Sequence, residues 1–165
     1  MTVVSDASPL IALARVGQLG LLSAFYGRVL IAAEVYDEVT VAGHGLPGAE
    51  EVRRASWIET AKPAAEPNSV LRRALEGLGA GERGTILLAH TISADLVLVD
   101  DAKARRAARQ AGLTVLGCLG VLEAAARKTL ILDLRQTYRE LLGHGIRFDL
   151  RLLDASLDRL GLPKL

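Results

Sequence analysis

A chain of 165 residues and 17.5 kDa has room for one ordinary domain. Half of its residues are hydrophobic, 24% are charged and mean hydropathy is +0.28, which excludes a disordered chain because apolar burial can offset the entropy of folding. A formal net charge of +1 and an aromatic content of 4% argue against bulk polyanion binding, an anionic-membrane anchor and an extended base-stacking surface.

Val3-Val4 is a short apolar run ending at Ser5-Asp6, the pattern of a buried strand. Ser8-Pro9 reads as an N-cap and a first-turn proline opening a helix over Leu10–Ala14, which Gly17 closes. Leu19, Leu21, Leu22 and Phe25 suggest a second short helix, and Arg28–Ile31 the next strand. Ala33–Val41 reads as a helix with Val35 and Val39 on one face and Glu34, Asp37 and Glu38 nearby. A Gly/Pro loop over 43–48 leads to a charged helix over Glu50–Ala55, and Trp57–Thr60 reads as a strand.

In the second half, Val70, Leu71, Ala74, Leu75 and Leu78 recur at helical spacing after an Asn68-Ser69 cap signal. Gly77, Gly79 and Gly81 break the chain before a helix over Glu82–His90. Leu96–Val99 reads as a buried strand ending at Asp100-Asp101. A basic helix over Ala102–Ala111 and a last strand over Leu113–Leu116 follow, then three helices over Gly117–Lys128, Leu134–Leu142 and Leu150–Leu160. Alternating strands and helices imply right-handed βαβ units and a parallel sheet covered on both faces, in a single α/β domain over residues 1–165. No basic leader precedes the first apolar run, and the longest uncharged stretch, about 13 residues over 110–122, is short of the roughly 20 that span a bilayer. One cysteine, Cys118, permits no internal disulfide, so a cytoplasmic protein is expected.

In open α/β sheets, ligands bind at the carboxyl ends of the strands. Asp6 and Asp100-Asp101 stand at two such ends, with Glu38 and Glu82 in helices of the same units. Carboxylates converging there repel one another unless a dication sits among them, and hard oxygen donors suit Mg²⁺ or Mn²⁺. Held beside a phosphodiester, such an ion can generate a nucleophilic hydroxide, clamp the phosphate and neutralise the leaving oxygen. The bland reading of the same residues is a cap or a solvated tip: Glu34, Asp37 and Glu38 as an exposed helix face, Asp101 as an N-cap. Gly79–Gly84 matches G-x-G-x-x-G, but a helix precedes it where a dinucleotide fingerprint needs a strand, so its glycines read as a helix stop and start. Too little chain follows Asp100-Asp101 for a receiver domain, and Ser8 stands where a haloacid-dehalogenase-type phosphatase wants Asp.

The strings Val3–Ile11, Glu34–Val39, Gly81–Ala89 and Leu98–Arg105, with Gly112–Gly117 after them, together resemble the ordered motifs of PIN-domain proteins, most closely a PIN-like prokaryotic branch. The likeness runs from about Val3 to Leu122, while the helices over about 123–165 carry no such motif. It implies a Rossmann-like fold with a parallel sheet of four or five strands flanked by helices, plus extra C-terminal helices. It further implies Mg²⁺- or Mn²⁺-dependent endonucleolytic hydrolysis of single-stranded RNA, leaving a 5′-phosphate. Asp6, Glu38, Glu82 and Asp100 would hold the metal, with Asp101 sharing or taking the last place, and Ser8 would orient the attacking water or Asp6. Glu82 departs from the more frequent Asp, its longer side chain shifting the metal by about a bond length. Proteins of this kind are often toxins, commonly homodimeric, paired with a small antitoxin protein.

Lys103, Arg105, Arg106 and Arg109, with no acid between Ala102 and Gly112, form a local basic patch suited to RNA phosphates, or equally a solvated face. Arg105 alternatively forms a structural ion pair. His44, His90 and His144 read as structural, Cys118 as a buried small hydrophobe and Trp57 as core. Two other readings compete: a catalytically degenerate module that binds RNA or protein, and a metal-dependent phosphohydrolase of small phosphoesters. With so few aromatics, RNA is expected to be held by phosphate and metal contacts rather than by stacking.

Overall fold

Val3 and Val4 are buried on both faces of the sheet, and this run forms the central strand of the computed structural model, which describes residues 1–165. The strands are β1 (Val3–Ser5), β2 (Val29–Ala32), β3 (Ile58–Ala61), β4 (Leu96–Leu98) and β5 (Val115–Leu116). They form one all-parallel sheet in the order β3-β2-β1-β4-β5. The chain therefore winds outward from β1 to β3, then crosses back to lay β4 on the other side of β1. In this topology the crevice between the carboxyl ends of β1 and β4 is the switch point where ligands bind. The register pairs Ser5 with Leu98, and the Asp6 N–H donates to Leu98 O at 2.9 Å, so both strand-end acids leave the sheet at this crevice.

Ten helices cover the sheet: α1 (Ala7–Arg15), α2 (Gly20–Tyr26), α3 (Ala33–Tyr36), α4 (Ala49–Arg54), α5 (Ser69–Ala74), α6 (Ala80–Thr91), α7 (Ala102–Gln110), α8 (Cys118–Arg127), α9 (Leu134–Gly143) and α10 (Leu150–Arg159). Helix α1 starts earlier than the Ser8-Pro9 signal suggests: Asp6 occupies the cap position and Pro9 the third helical one. The first-turn N–H groups have no intrahelical acceptor, so proline fits anywhere in that turn. Helix α3 passes directly into a π-helical segment over Asp37–Ala42, where the expectation was one regular helix. Val35 and Val39 remain buried along it, and the Gly43 N–H donates to Glu38 O at 3.0 Å, five residues back. Helix α5 is shorter than its apolar repeat, yet Leu71, Leu75 and Leu78 stay buried through the turn that follows. Asn68 caps it as expected, accepting the Leu71 N–H at 2.8 Å.

The three C-terminal helices belong to the same 39-residue hydrophobic core as the sheet, with Leu122, Leu141, Leu153 and Leu157 fully enclosed. Each such leucine contributes about 2 kcal/mol of burial. Asp133 and Asp149 cap α9 and α10 with their carboxylates. The buried Tyr138 hydroxyl of α9 lies 2.5 Å from the Ser156 hydroxyl of α10. Trp57 is half-buried against this core, and Cys118 is fully buried. No single helix is long and apolar enough to cross a membrane.

Candidate active site

A cleft of about 850 Å³ opens above the carboxyl end of β1. Asp6, Ser8, Glu38 and Glu82, four of the residues singled out by sequence, line it together. Glu34 and Asp37 line it as well, giving five carboxylates and no lysine, arginine or histidine. None of the five is ion-paired elsewhere. The backbone explains the convergence. Asp6 stands at the junction of β1 and α1. Glu34 and Glu38, four residues apart, share one face of α3 and its π-helical continuation. Glu82 lies in the first turn of α6, its Oε2 accepting the Gly79 N–H at 2.9 Å.

Burial pushes the Asp6 carboxyl up to about 6 from 3.8, and the nearby charges of Glu38 and Glu82 add to this. The Ala7 N–H and the Thr85 hydroxyl, which donates to Asp6 Oδ1 at 3.4 Å, act in the opposite direction. Glu38 is also raised above the ordinary carboxylate value, by partial burial and then by Glu82. Mutual repulsion with no internal counter-charge is the condition under which a dication binds strongly.

The space between the acids is kept open by Gly81. A Cβ at this position would stand 2.7 Å from Glu38 Oε2 and 3.6 Å from Asp6 Oδ1, in the volume the two carboxylates face. No three acids sit at coordination distance as they stand. Glu38 and Glu82 have the rotamer freedom to close on an ion, Glu82 by releasing Gly79. An oxygen-only donor set around a cradle of this kind fits Mg²⁺ or Mn²⁺.

Asp100 and Asp101 do not line this cleft; they line an adjoining cavity that shares Ser8 with it. Asp100 Oδ1 accepts the Cys118 N–H at 2.7 Å, at the start of α8, with the Arg105 guanidinium close by where Gly117 lacks a side chain. Burial raises the Asp100 pKa, against the Cys118 bond and the Arg105 charge. Asp101 caps α7, accepting the Ala104 N–H at 2.8 Å. On α7, Lys103 Nζ donates to Gly77 O at 2.8 Å and Arg105 Nη1 to Val99 O at 3.0 Å, while Arg106 and Arg109 are exposed and unpaired. His90 Nδ1 lies 3.2 Å from Ala111 O, and His44 and His144 are exposed, none of them in the cleft.

Sequence reasoning assigned no site role to Glu34, Asp37, Thr85 or Gly81. A four-residue spacing links Glu34 to Glu38, and a three-residue spacing links Thr85 to Glu82; both were available as signals of a shared helix face.

The sheet order and this cleft define a doubly wound α/β protein with a carboxylate-lined site at the carboxyl end of its central strand. Residues 2–162 match the family model described as PIN domain, and the chain belongs to that family. PIN domains are generally nucleases that use divalent metal ions. Among solved structures, a PilT N-terminus domain protein from the hyperthermophilic archaeon Sulfolobus solfataricus shares the fold, with a TM-score of 0.56 and 17% identity over 76% of this chain and 93% of its own. No curated protein matches.

Proposed function

We propose that this PIN domain is a Mg²⁺- or Mn²⁺-dependent endoribonuclease acting on single-stranded RNA. The observation that carries the reading is the five-carboxylate, cation-free cleft at the carboxyl end of β1, held open by Gly81. Asp6, Glu38 and Glu82 hold the ion, Asp6 being fixed by Thr85 and by its place at the end of β1. When bound, the ion supplies Lewis-acid activation of water and neutralises charge on the phosphate. Ser8, exposed in the first turn of α1, offers its hydroxyl to a phosphate oxygen or the attacking water at the mouth of the cleft. The α1 N-terminus favours a phosphate at that place. Exposed Arg106 and Arg109 on α7 add contacts to the RNA backbone.

Calorimetric titration with Mn²⁺, paired with cleavage of a labelled single-stranded RNA, tests the reading: saturable binding and cleavage, both lost in Asp6→Asn, are expected. The binding-only alternative draws support from Asp100 and Asp101, whose carboxylates are engaged by backbone donors of α8 and α7. Absence of any saturable Mn²⁺ binding would favour it. The toxin role, with a small antitoxin protein and a homodimeric enzyme, extends the same proposal on the strength of the motif resemblance; light scattering of the purified chain tests the dimer.

A further inference from the structure

Thr85 lies on α6 one turn beyond Gly81 and is fully buried. Three other threonines sit in helical segments, and each turns its hydroxyl back onto a carbonyl four residues earlier. Thr40 donates to Tyr36 O at 2.8 Å, Thr91 to Leu87 O at 2.9 Å and Thr137 to Asp133 O at 3.0 Å. That local bond is the default for a helical threonine, because it satisfies the hydroxyl without a distant partner. Thr85 departs from it. Its hydroxyl donates instead to Asp6 Oδ1 at 3.4 Å, 79 positions away in the chain. Ile86, Leu88 and Ala89 beside it on α6 are enclosed and apolar, so a valine would fill the place without the cost of burying a hydroxyl.

The acceptor belongs to the cleft. Asp6 is itself buried, and its carboxylate takes hydrogen bonds from the Ala7 N–H and from Thr85. The oxygen that Thr85 reaches, Oδ1, is also the one that stands 3.6 Å from where a Cβ on Gly81 would lie. Residues 81 and 85 are neighbours on one helix face, so α6 presents to this oxygen an open space and, beside it, a hydroxyl. The last side-chain torsion of an aspartate is soft, and a hydrogen bond to one oxygen restrains it. An oxygen with one lone pair engaged keeps the other for a cation. We infer that Thr85 is a positioning residue of the cleft: its hydroxyl holds the Asp6 carboxylate in the orientation that receives the dication. This rests on the metal-dependent reading above and gives one of its ligands a fixed aim.

Two pairs of chains isolate the hydroxyl: wild type against Thr85→Val, alike in branched shape, and Thr85→Ser against Thr85→Ala, alike in lacking the methyl group. Mn²⁺ affinity is measured by calorimetry on each full chain, with Asp6→Asn as the reference for the site and a thermal melt in EDTA as the check on folding. Loss of the hydroxyl should weaken Mn²⁺ binding about tenfold in either pair, with Thr85→Ser within about threefold of wild type, the lower end of the effect expected for a group that orients a metal ligand. A purely structural role predicts another order: Thr85→Val, which keeps the packing, would bind as wild type does, and Thr85→Ser, which opens a small cavity, would bind worse. That order, or equal affinities within both pairs, would overturn the positioning role while Asp6-dependent binding left the metal reading in place. If Thr85→Val does not fold, the serine and alanine chains still decide. Mn²⁺ binding that Asp6→Asn leaves unchanged would remove the metal reading and the role of Thr85 with it.

Discussion

The cleft between α3 and α6 and the groove beneath the α9–α10 loop share Ser8, yet they treat their carboxylates differently. In the cleft five carboxylates face one another with no internal cation, and Asp6 and Glu38 are held above their ordinary pKa values by burial first and by acidic neighbours second. In the groove the three carboxylates, Asp100, Asp101 and Asp149, each have a backbone or arginine donor, and Arg15 and Arg147 stand among them. The first arrangement lacks a cation, whereas the second carries charges of both signs. A dication among the carboxylates of the cleft would satisfy the first. A net charge of +1 hides the acidic excess of the cleft, because a total does not record where charges lie.

The most severe way to break the contrast is to remove charge from the centre of the cleft. Asp6→Asn should reduce Mn²⁺-dependent RNA cleavage to background while affinity for RNA in EDTA holds or rises, since one repelling charge is gone. Retained cleavage in the purified variant would remove Asp6 from the site.

Next in size is Gly81→Ala, which fills the space between Glu38 and Asp6 without touching any charge. Glu38 Oε2 is the end of a flexible side chain and can swing away, so the fold should persist; alanine in α6 even favours the helix by up to about 1 kcal/mol. Mn²⁺ affinity should fall roughly 10- to 100-fold, the range typical of disturbed ligand positioning. Calorimetry and a thermal melt on the same sample separate the two effects. A variant that binds Mn²⁺ as tightly as wild type would show that the carboxylates do not close on this space.

Asp6 also makes a pH prediction. Its folded pKa of about 6 lies above the ordinary 3.8, so the folded state binds this proton more tightly than the unfolded chain does. The stability linked to it is fully present below about pH 4, declines between about 4 and 6 and is lost above that. Without added metal, Asp6→Asn should therefore melt higher than wild type at pH 7.5, by up to about 3 kcal/mol, with the gap closing towards pH 4. Mn²⁺ should raise the wild-type melt at pH 7.5 and not that of the variant. A gap independent of pH would mean the carboxyl is not strained in this way.

Much of the cleft was legible because it depends on local rules. Buried apolar runs ending in acids place Asp6 and Asp100 at strand ends, and helical spacing places Glu38 and Glu82 beside them. The π-helical turn was not legible, since Val35 and Val39 fit a regular helix as well as the observed one. Nor was the division between Asp6 and the Asp100-Asp101 pair. Asp100 is set by the start of α8, eighteen residues further along the chain, and a strand-end acid carries no local mark of which donor will claim it. The groove was least legible of all. Arg147 and Phe148 sit in a loop without a motif, and only the packing of α9 and α10 brings them to α1. The low aromatic content argues against a stacking surface of several rings, but a count cannot locate a single ring.

The smallest expected effect tests how the groove is held. Tyr138 and Ser156 join α9 to α10 through hydroxyls that are both buried, and burial pushes the Tyr138 phenol up to about 12, against the Ser156 bond. Tyr138→Phe leaves the ring volume unchanged and the Ser156 hydroxyl without this partner, which should lower stability by about 1–2 kcal/mol. Because neither helix lines the cleft, Mn²⁺ binding there should stay at the wild-type value. Ser156→Ala made together with Tyr138→Phe removes both polar groups and should recover part of the lost stability. If Tyr138→Phe weakened Mn²⁺ binding, the C-terminal helices and the cleft would be one cooperative unit.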